Sequence, residues 1–284
     1  MRLKPALEAA VRRLEENDVG SARMNAEVLL MFTLSCDRAY LYGHPERELT
    51  KDECERFDEA LGERSRGVPA QYITGHQEFW GLDLIVNPAV LIPRPETEHV
   101  VETVLELVRG TEEFSSRQPS LVDVGTGSGC IALALAKELP GARVWATDIS
   151  GAALDVARIN AVRMQLEERV HFQQCDLLAD LPNAAFDFVV SNPPYVGEGE
   201  ADKVQLEVRK FEPHGAVFAG PEGLDTIARL IPQARSHLQP GGWLVMEIGY
   251  TQEAAVRALL NDWHDVRSIN DLRGIPRVIA ARNP

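Results

Sequence analysis

The chain has 284 residues, 45% of them hydrophobic, which is enough for one large α/β domain and a smaller one. A net charge of −14, from 29 basic and 43 acidic side chains, argues against a protein that grips a long nucleic-acid backbone. The four cysteines are widely spaced with no C-x-x-C pair, so we expect a reducing compartment and neither disulfides nor a metal site. The N-terminus is charged, and no apolar run approaches the roughly 20 residues of a membrane helix. These features predict a soluble cytoplasmic protein with no membrane partner.

Residues 1–68 are predicted to form a small helical bundle. Apolar residues recur at helical spacing from Leu3 to Glu16, and Ser21 is expected to cap a second helix. Thr50 to Glu53 has the capping-box pattern that begins a further helix. This bundle holds no catalytic constellation. It serves either as a structural lid or as a docking surface for a macromolecular substrate, and the sequence slightly favours docking.

Residues 69–95 are predicted to form a β-hairpin that links two domains. Apolar and polar residues alternate from Leu82 to Asn87, and a turn at Trp80-Gly81 joins them to an extended stretch from Ile73 to Phe79.

A proline-containing run from Ile92 to Glu98 follows the hairpin, and Glu96 or Thr97 opens a helix through Val108. The charged side chains of this run either contact a ligand or cap the helix, and the residues leave both interpretations open. These side chains are Arg94, Glu96 and Glu98.

Residues 96–284 are predicted to form an α/β domain with a Rossmann-like, seven-stranded sheet. Apolar runs of strand length alternate with helical patterns, which is typical of a parallel sheet covered by helices. A turn is predicted at Gln239 to Gly242, and Val196 to Phe218 is predicted to be a long loop that acts as a lid or substrate guide. The predicted strands lie at 120–124, 143–148, 170–174, 186–190 and 243–248 and near 266 and 278.

A glycine loop follows the first strand of that domain. Its pattern, Asp123-Val124-Gly125-Thr126-Gly127-Ser128-Gly129, differs from the dinucleotide fingerprint G-x-G-x-x-G, which would require glycine at Cys130. D-x-G-x-G-x-G resembles motif I of the Rossmann-like S-adenosylmethionine methyltransferases. That cofactor has no phosphate, so the loop needs only to let its backbone approach an adenosine and an amino-acid tail. Gly125, Thr126, Gly127, Ser128 and Gly129 are therefore predicted to bind the cofactor.

Three residues at the ends of the next two strands are predicted to complete the cofactor site. Asp148 lies 23 residues after Gly125, close to where an acidic side chain accepts the ribose hydroxyls. The alternative, that it only caps the following helix, is less favoured. Asp176 and Leu177 follow the third strand, at the turn that faces the adenine in this fold. Asp176 is predicted to accept the adenine amino group, and Leu177 to pack on the ring.

The tetrapeptide Asn192-Pro193-Pro194-Tyr195 comes directly after the fourth strand. The side-chain oxygen of Asn192 and the carbonyl of Pro193 are two acceptors on rigid backbone, with a tyrosine ring beside them. Such a pair suits the planar NH2 group of an amide or a base, whose delocalised nitrogen is a poor nucleophile until it is oriented and polarised. We therefore predict catalytic roles for Asn192, Pro193 and Tyr195, and substrate binding by these residues and Pro194. The alternative is an ordinary proline-rich loop.

With these motifs in place, the chain resembles, over nearly its whole length, the protein-glutamine methyltransferases that modify the Gly-Gly-Gln loop of peptide-chain release factors. Asn-Pro-Pro-Tyr is not specific, because DNA adenine methyltransferases and other amide methylases share it. The run from Ile92 to Glu98 is more discriminating and is similar to the release-factor enzymes rather than the ribosomal-protein enzymes. Further motifs that carry the resemblance are Tyr72 to Gly75, Glu78 to Trp80, Gly125 to Gly129, Phe211 to Pro213 and Gly223 to Asp225.

The resemblance implies methyl transfer from S-adenosylmethionine to the side-chain amide nitrogen of a glutamine, with class 1 release factors as partners and no nucleic-acid substrate. It implies that Gly125 to Gly129, Asp148, Leu177 and Asn192 contact S-adenosylmethionine, with Leu91 packing nearby. It also implies that Asn192 to Tyr195 hold the glutamine amide.

Two other hypotheses remain open. The same tetrapeptide could serve a ribosomal-protein glutamine methyltransferase or a nucleic-acid adenine methyltransferase that acts on a flipped base. The acidic balance and the lack of a basic, aromatic-rich domain weigh against nucleic acid. The second hypothesis is a binding or assembly module without catalytic turnover. Such a module would not need both the glycine loop and Asn-Pro-Pro-Tyr to be intact, so the presence of both motifs weighs against it.

Overall fold

The computed structural model describes residues 1–115, 117–181 and 185–284. These residues form two units. The first contains Met1–His76 and Gln205–Phe211, and the second contains Gln77–Val204 and Glu212–Pro284. The predicted domains, 1–68, 69–95 and 96–284, stay predictions.

The first unit is a helical bundle around an apolar core. Amphipathic spacing directs one face of each long helix inward, where Leu14, Leu29 and Leu30 are completely buried. The helices of this unit are Leu3–Glu16, Ala22–Leu34, Arg38–Gly43, Lys51–Ser65, Ala70–Thr74 and Leu206–Phe211.

The two predicted helix caps of this unit have different outcomes. Thr50 and Glu53 form the predicted capping box, in which the Thr50 hydroxyl accepts from the Glu53 amide at 3.2 Å and the Glu53 carboxylate accepts from the Thr50 amide at 2.9 Å. Ser21 makes no side-chain cap, so that prediction is wrong. Its φ of 51° is left-handed, whereas a capping side chain requires extended backbone to reach the first amides of the helix.

A buried arginine attaches the segment Gln205–Phe211 to the bundle. The Arg64 guanidinium donates to Asn25 Oδ1 at 2.7 Å and to the Val68 carbonyl at 3.0 Å, and it pairs with the Glu207 carboxylate at 2.8 Å. A charge buried to this extent is tolerated when it is paired and hydrogen-bonded. Arg64 therefore stabilises the unit only while these partners remain in place.

The second unit contains a seven-stranded sheet and, apart from His76, a separate two-stranded hairpin. The strands are β1 His76–Phe79 and β2 Leu82–Ile85 in the hairpin, and β3 Ser120–Val124, β4 Arg143–Asp148, β5 Val170–Gln174, β6 Phe186–Ser191, β7 Leu238–Glu247, β8 His264–Asn270 and β9 Pro276–Arg282 in the sheet. The sheet order is β5-β4-β3-β6-β7-β9-β8, in which β9 runs antiparallel to both of its neighbours and the other pairs are parallel. The predicted seven strands are thus confirmed.

Helices cover both faces of this sheet. Along β3, Leu121 belongs to the apolar core on one face, whereas Val122 and Val124 belong to the core on the other, as the alternation of a strand requires. Helices Glu98–Arg109, Cys130–Glu138 and Gly151–Arg163 contribute to the first core. Helices Asp225–His237 and Glu253–Leu259 contribute to the second.

Three local predictions differ from the structure. Ile73 and Thr74 belong to a helix that ends at Gly75, where φ is 77°, so the hairpin is shorter than predicted. Gln239 to Gly242 lies within β7 rather than forming a turn, because the register against β6 shifts there and Gly241 absorbs the irregularity at φ 80°. The segment from Val196 to Phe218 contains three short helical pieces, at Glu198–Lys203, Leu206–Phe211 and His214–Val217.

Within the described ranges, no helix combines the length and the apolar character needed to cross a membrane.

Asn160 joins the hairpin to the glycine loop. Its Oδ1 accepts from the Ile85 amide at 2.7 Å, and its Nδ2 donates to the carbonyls of Ile85 and Ser128 at 3.0 and 2.9 Å. The side chain is completely buried. Asn160 therefore satisfies three backbone groups in two segments that are distant in the sequence.

Replacing Asn160 with Ala is expected to lower the free energy of unfolding by about 3 kcal/mol, because buried backbone groups lose their partners. Urea unfolding followed by circular dichroism measures this change. Asn261→Ala, at an exposed position, is the matched control and is expected to stay within about 0.5 kcal/mol of the wild type. Equal destabilisation by the two variants would contradict the role of Asn160.

Candidate active site

Four parallel strands end in register at one edge of the sheet. Val124 on β3 pairs with Thr147 on β4 and with Ser191 on β6, and Ser191 pairs with Met246 on β7. Neighbouring strands lie about 4.8 Å apart, so the residues that follow are held within a strip about 14 Å long. Those residues are Gly125, Asp148, Asn192 and Glu247. Chain order reverses between β3 and β6, and ligands of open α/β sheets bind at such a point.

The glycine loop presents open backbone at this edge. Gly125 and Gly127 have φ of 72° and 56°, and a Cβ on either would have no atom within 4 Å. A ligand can therefore approach the backbone closely there. Gly129 serves a different purpose, because a Cβ there would lie 3.1 Å from Leu133 and 3.2 Å from Ala157. It allows the following helix to pack closely.

Asp148 holds the glycine loop through its carboxylate. Oδ2 accepts from the Gly127 amide and Oδ1 from the Ser150 amide, both at 2.9 Å. Burial raises the pKa of Asp148, and these backbone N–H groups oppose the rise. The following helix is capped by the Ser150 hydroxyl, which accepts from Ala153. Each carboxylate oxygen keeps a lone pair that could accept a further hydrogen bond. Ribose binding by Asp148 stays a prediction.

Asp123 lies beneath the loop and is completely buried. Its Oδ2 accepts from the Thr126 hydroxyl at 2.6 Å and from the Ala132 amide at 3.1 Å, whereas Oδ1 has no partner among the described residues. Burial raises the pKa of Asp123 from 3.8 to about 7. The two hydrogen bonds oppose this rise, and the nearby Asp148 adds to it.

The pKa of Asp123 gives a pH dependence of stability. Since the folded protein retains this proton where the unfolded chain has released it, stability falls as pH rises through the window from 3.8 to about 7. Within this window we expect the free energy of unfolding of the wild type to fall by about 1.4 kcal/mol per pH unit relative to that of Asp123→Asn. Above the window the difference between the two proteins is expected to stay constant. Urea unfolding across this range measures the difference. A difference that does not change with pH would contradict the assignment.

The Asn192 loop is fixed by a chain of hydrogen bonds that are buried or half-buried. Asn192 Nδ2 donates to the Thr97 hydroxyl at 3.0 Å, and that hydroxyl donates to Glu247 Oε2 at 2.6 Å. The Tyr195 hydroxyl donates to Glu247 Oε1 at 2.9 Å. At the base of the loop, the Ser191 hydroxyl donates to the Val124 carbonyl at 2.7 Å. The tetrapeptide thus begins one strand away from the glycine loop, and Pro193 is buried.

Glu247 is the acidic group at the centre of this chain of hydrogen bonds, and only 2% of it is exposed. Burial raises the pKa of its carboxyl, and the hydroxyls of Thr97 and Tyr195 oppose the rise. The Glu247 charge in turn raises the pKa of Tyr195 well above its ordinary value, with burial adding to the effect. Tyr195 therefore stays a neutral hydrogen-bond donor at physiological pH.

Gln252 and Gly223 support the loop from behind. Gln252 Nε2 donates to the carbonyls of Tyr195 and Gly223 at 2.9 and 3.2 Å, and its Oε1 accepts from the Gly249 amide at 3.0 Å. Gly223 has φ 75°, and a Cβ there would lie 2.2 Å from the Tyr195 carbonyl oxygen. Only glycine permits this approach.

Gly223→Ala is expected to lower the free energy of unfolding by about 2–4 kcal/mol, because left-handed backbone and a backbone clash both oppose the methyl group. Thermal unfolding measures the loss. The control is Gly215→Ala, where a Cβ would meet no atom within 4 Å and φ is not left-handed. A stability of Gly223→Ala equal to that of the control would show that the loop tolerates a side chain.

The predicted adenine contacts lie at the end of β5. Asp176 forms an ion pair with Arg229, and Leu177 has a left-handed φ of 56° while its carbonyl accepts from the Thr147 hydroxyl at 3.0 Å. Ile149, which directly follows Asp148, is 68% exposed. Ile149 is thus an exposed apolar side chain at the same edge of the sheet. Adenine binding by Asp176 and Leu177 stays a prediction.

Two of the three charged side chains between Ile92 and Glu98, those of Arg94 and Glu98, have structural partners. Arg94 pairs with the buried Glu212 at 2.5 Å, and Glu212 also accepts from the Ile92 amide at 3.1 Å. Glu98 accepts from the Trp80 amide at 2.8 Å, which connects the helix to the hairpin turn. Leu91 is half-buried. These contacts support the structural interpretation of Arg94 and Glu98.

Sequence reasoning missed Thr97, Glu247 and Gln252 as parts of the site. The sequence pattern places Thr97 only at a helix start and Glu247 only in a strand. The available signal was the acidic residue Glu247 inside the apolar run from Trp243 to Ile248. Acidic side chains are rarely fully buried, and a buried one is a candidate for a functional site. Gln252 carried no comparable signal.

In the described ranges, no group of three or more His, Cys, Asp or Glu side chains is arranged to hold a metal ion.

Comparisons with known proteins agree with this architecture. The family model described as "PrmC N-terminal domain" matches residues 5–75, and the one described as "Methyltransferase small domain" matches residues 107–211. The N-terminal domain of human METTL16, solved in complex with SAH, has a TM-score of 0.54 at 18% identity. That alignment covers 88% of this chain and 89% of the other, and it is a likeness of fold alone. The match to the methyltransferase family model, together with the sequence relatives, defines a methyltransferase and therefore an enzyme.

The sequence relatives are more specific. A release factor glutamine methyltransferase of Koribacter versatilis is 56% identical over all of this chain and 99% of its own length. One of Moorella thermoacetica is 47% identical over 91% of this chain and 89% of its own. The chain belongs to the release factor glutamine methyltransferase family, which confirms the resemblance drawn from its motifs.

Proposed function

We propose that this enzyme transfers a methyl group from S-adenosylmethionine to the side-chain amide nitrogen of the glutamine in the Gly-Gly-Gln loop of class 1 release factors. The observation that carries the proposal is the pairing of Val124 with Ser191, since it brings the glycine loop and the Asn192 loop to adjacent strand ends. The names of the relatives support the substrate. The cytoplasmic location expected from the sequence stays a prediction.

The residues at the sheet edge fit S-adenosylmethionine. The open space beside Gly125 and Gly127 admits an adenosine and an amino-acid tail, and the Asp148 carboxylate retains acceptor capacity for ribose hydroxyls. The proposed binding set is completed by Thr126, Ser128, Gly129, Asp176, Leu177 and Asn192. When bound, this group supplies a methyl carbon activated by a sulfonium.

The Asn192 loop orients the nucleophile. With Nδ2 donating to Thr97, Asn192 has its Oδ1 left to accept one substrate N–H, and the Pro193 carbonyl accepts the other. Pro194 and Tyr195 form the adjoining wall. Two acceptors stabilise the positive charge that develops on the amide nitrogen as the carbon–nitrogen bond forms and the carbon–sulfur bond breaks. The nitrogen then releases a proton to solvent, so no strong base is needed.

No observation favours the alternatives that share the tetrapeptide. A nucleic-acid substrate would draw on basic side chains, and the chain carries a net charge of −14. A ribosomal-protein substrate would leave the names of the relatives unexplained. We propose residues 1–68 as the docking domain for the release factor.

Asn192→Ala is expected to lower the single-turnover rate of methyl transfer by on the order of a hundredfold, because one preorganised acceptor is lost. S-adenosylmethionine binding is expected to stay measurable. The assay uses labelled S-adenosylmethionine and a purified release factor, with mass spectrometry locating the added methyl on the glutamine.

Asn261→Ala serves again as the exposed control and is expected to match the wild-type rate. A wild-type rate in Asn192→Ala would contradict the role of this side chain. Label that appears only in nucleic acid or in a ribosomal protein would instead refute the proposed substrate.

A further inference from the structure

The chain of hydrogen bonds beneath the Asn192 loop contains two residues with no assigned role. Glu247 is the last residue of β7, and Thr97 lies immediately before the helix Glu98–Arg109. They are 2% and 1% exposed. Neither side chain belongs to the predicted binding loops, yet each lies one hydrogen bond from a residue of the tetrapeptide.

The contacts determine which way each hydrogen points. Both Glu247 oxygens accept in the structure, so the Thr97 hydroxyl spends its single hydrogen on Glu247 Oε2. The Thr97 oxygen can then only accept from Asn192, which must turn its NH2 group toward Thr97. The Asn192 Oδ1 is consequently directed away from this chain of bonds. Glu247 therefore selects one of the two amide orientations of Asn192.

Both carboxylate oxygens take part. While Oε2 fixes Thr97, Oε1 accepts from the Tyr195 hydroxyl at 2.9 Å and holds the ring. One side chain thus orients the first and the last residue of the tetrapeptide. In the part of the chain that the structure describes, the hydrogen-bond partners of Glu247 are these two hydroxyls and not a cation. A buried carboxylate with such partners is costly to keep, which argues that it is retained for positioning rather than for stability.

We infer that Thr97 and Glu247 are positioning residues for the methyl transfer. They act through Asn192, whose oxygen they keep directed at the substrate amide, and through Tyr195. This inference rests on the proposed function, because it assigns these side chains to the orientation of that nucleophile. A reversed Asn192 would present an NH2 group to the substrate NH2 group and repel it.

A pair of substitutions at Thr97 tests this. Thr97→Val removes the hydroxyl and keeps the shape, whereas Thr97→Ser keeps the hydroxyl. We expect kcat with a purified release factor to fall on the order of tenfold or more in Thr97→Val, and to stay close to wild type in Thr97→Ser. The Kd for S-adenosylmethionine, measured by calorimetry, is expected to change little. The KM for the release factor is expected to change less than kcat, since the positive charge that Asn192 Oδ1 stabilises develops only in the transition state.

Glu247→Gln provides a second variant that preserves size. One of the two hydroxyls then faces an NH2 group and must redirect its hydrogen, so either Asn192 or Tyr195 loses its orientation. We expect kcat to fall while the unfolding temperature at about pH 8 stays equal to the wild type or rises, because burial disfavours the ionised form of the Glu247 carboxyl and glutamine has no such form. A residue that served only the core would not combine these two results.

A kcat within about twofold of the wild type in both Thr97→Val and Glu247→Gln would overturn the inference. An equal loss of kcat in Thr97→Ser and Thr97→Val would also overturn it, because the hydroxyl would then not be the cause. A wild-type enzyme that labels no release factor would instead refute the proposed function, so the two failures are distinguishable.

Discussion

The register of the parallel strands is the constraint on which the site depends. One row of hydrogen-bonded strand residues crosses β4, β3, β6 and β7, and each strand delivers its next residue to the same edge. The Ser191 hydroxyl reinforces this row by donating to the Val124 carbonyl. A slip of one residue would move the β6 side chains that pack in one core into the other, so the packing of the two cores also fixes the site.

Support for the Asn192 loop comes from several distant segments. Thr97 contacts it from the helix start, Glu247 from the neighbouring strand, and Gln252 with Gly223 from behind. The loop itself has two prolines and few backbone donors, so it cannot hold its own shape through a ladder. Its rigidity is therefore a tertiary property.

Much of this could be predicted from the sequence, because the informative features are local. Strand-length apolar runs gave the seven strands, and Thr50 with Glu53 gave a helix start. Local signals failed where conformation depends on the surroundings. Ser21 is a residue type that often caps helices, but its backbone is left-handed. The glycines near Gly241 suggest a turn but lie in an irregular strand.

The support of the site lay beyond sequence reasoning for the same reason. The contact between Thr97 and Glu247 joins residues 150 positions apart, and no spacing rule relates them. The pairing of Arg94 with Glu212 is comparable, since it gives a charged side chain in a conspicuous motif a structural partner 118 positions away. Motifs identified the loops that would meet a ligand, whereas the side chains that hold those loops in place required the fold.

The Asn160 side chain has a consequence for dynamics. Because one amide group bonds both backbone groups of Ile85 and the carbonyl of Ser128, opening of either the hairpin at Ile85 or the glycine loop at Ser128 breaks hydrogen bonds of the same side chain. We therefore expect the fluctuations of the two segments to be coupled through Asn160.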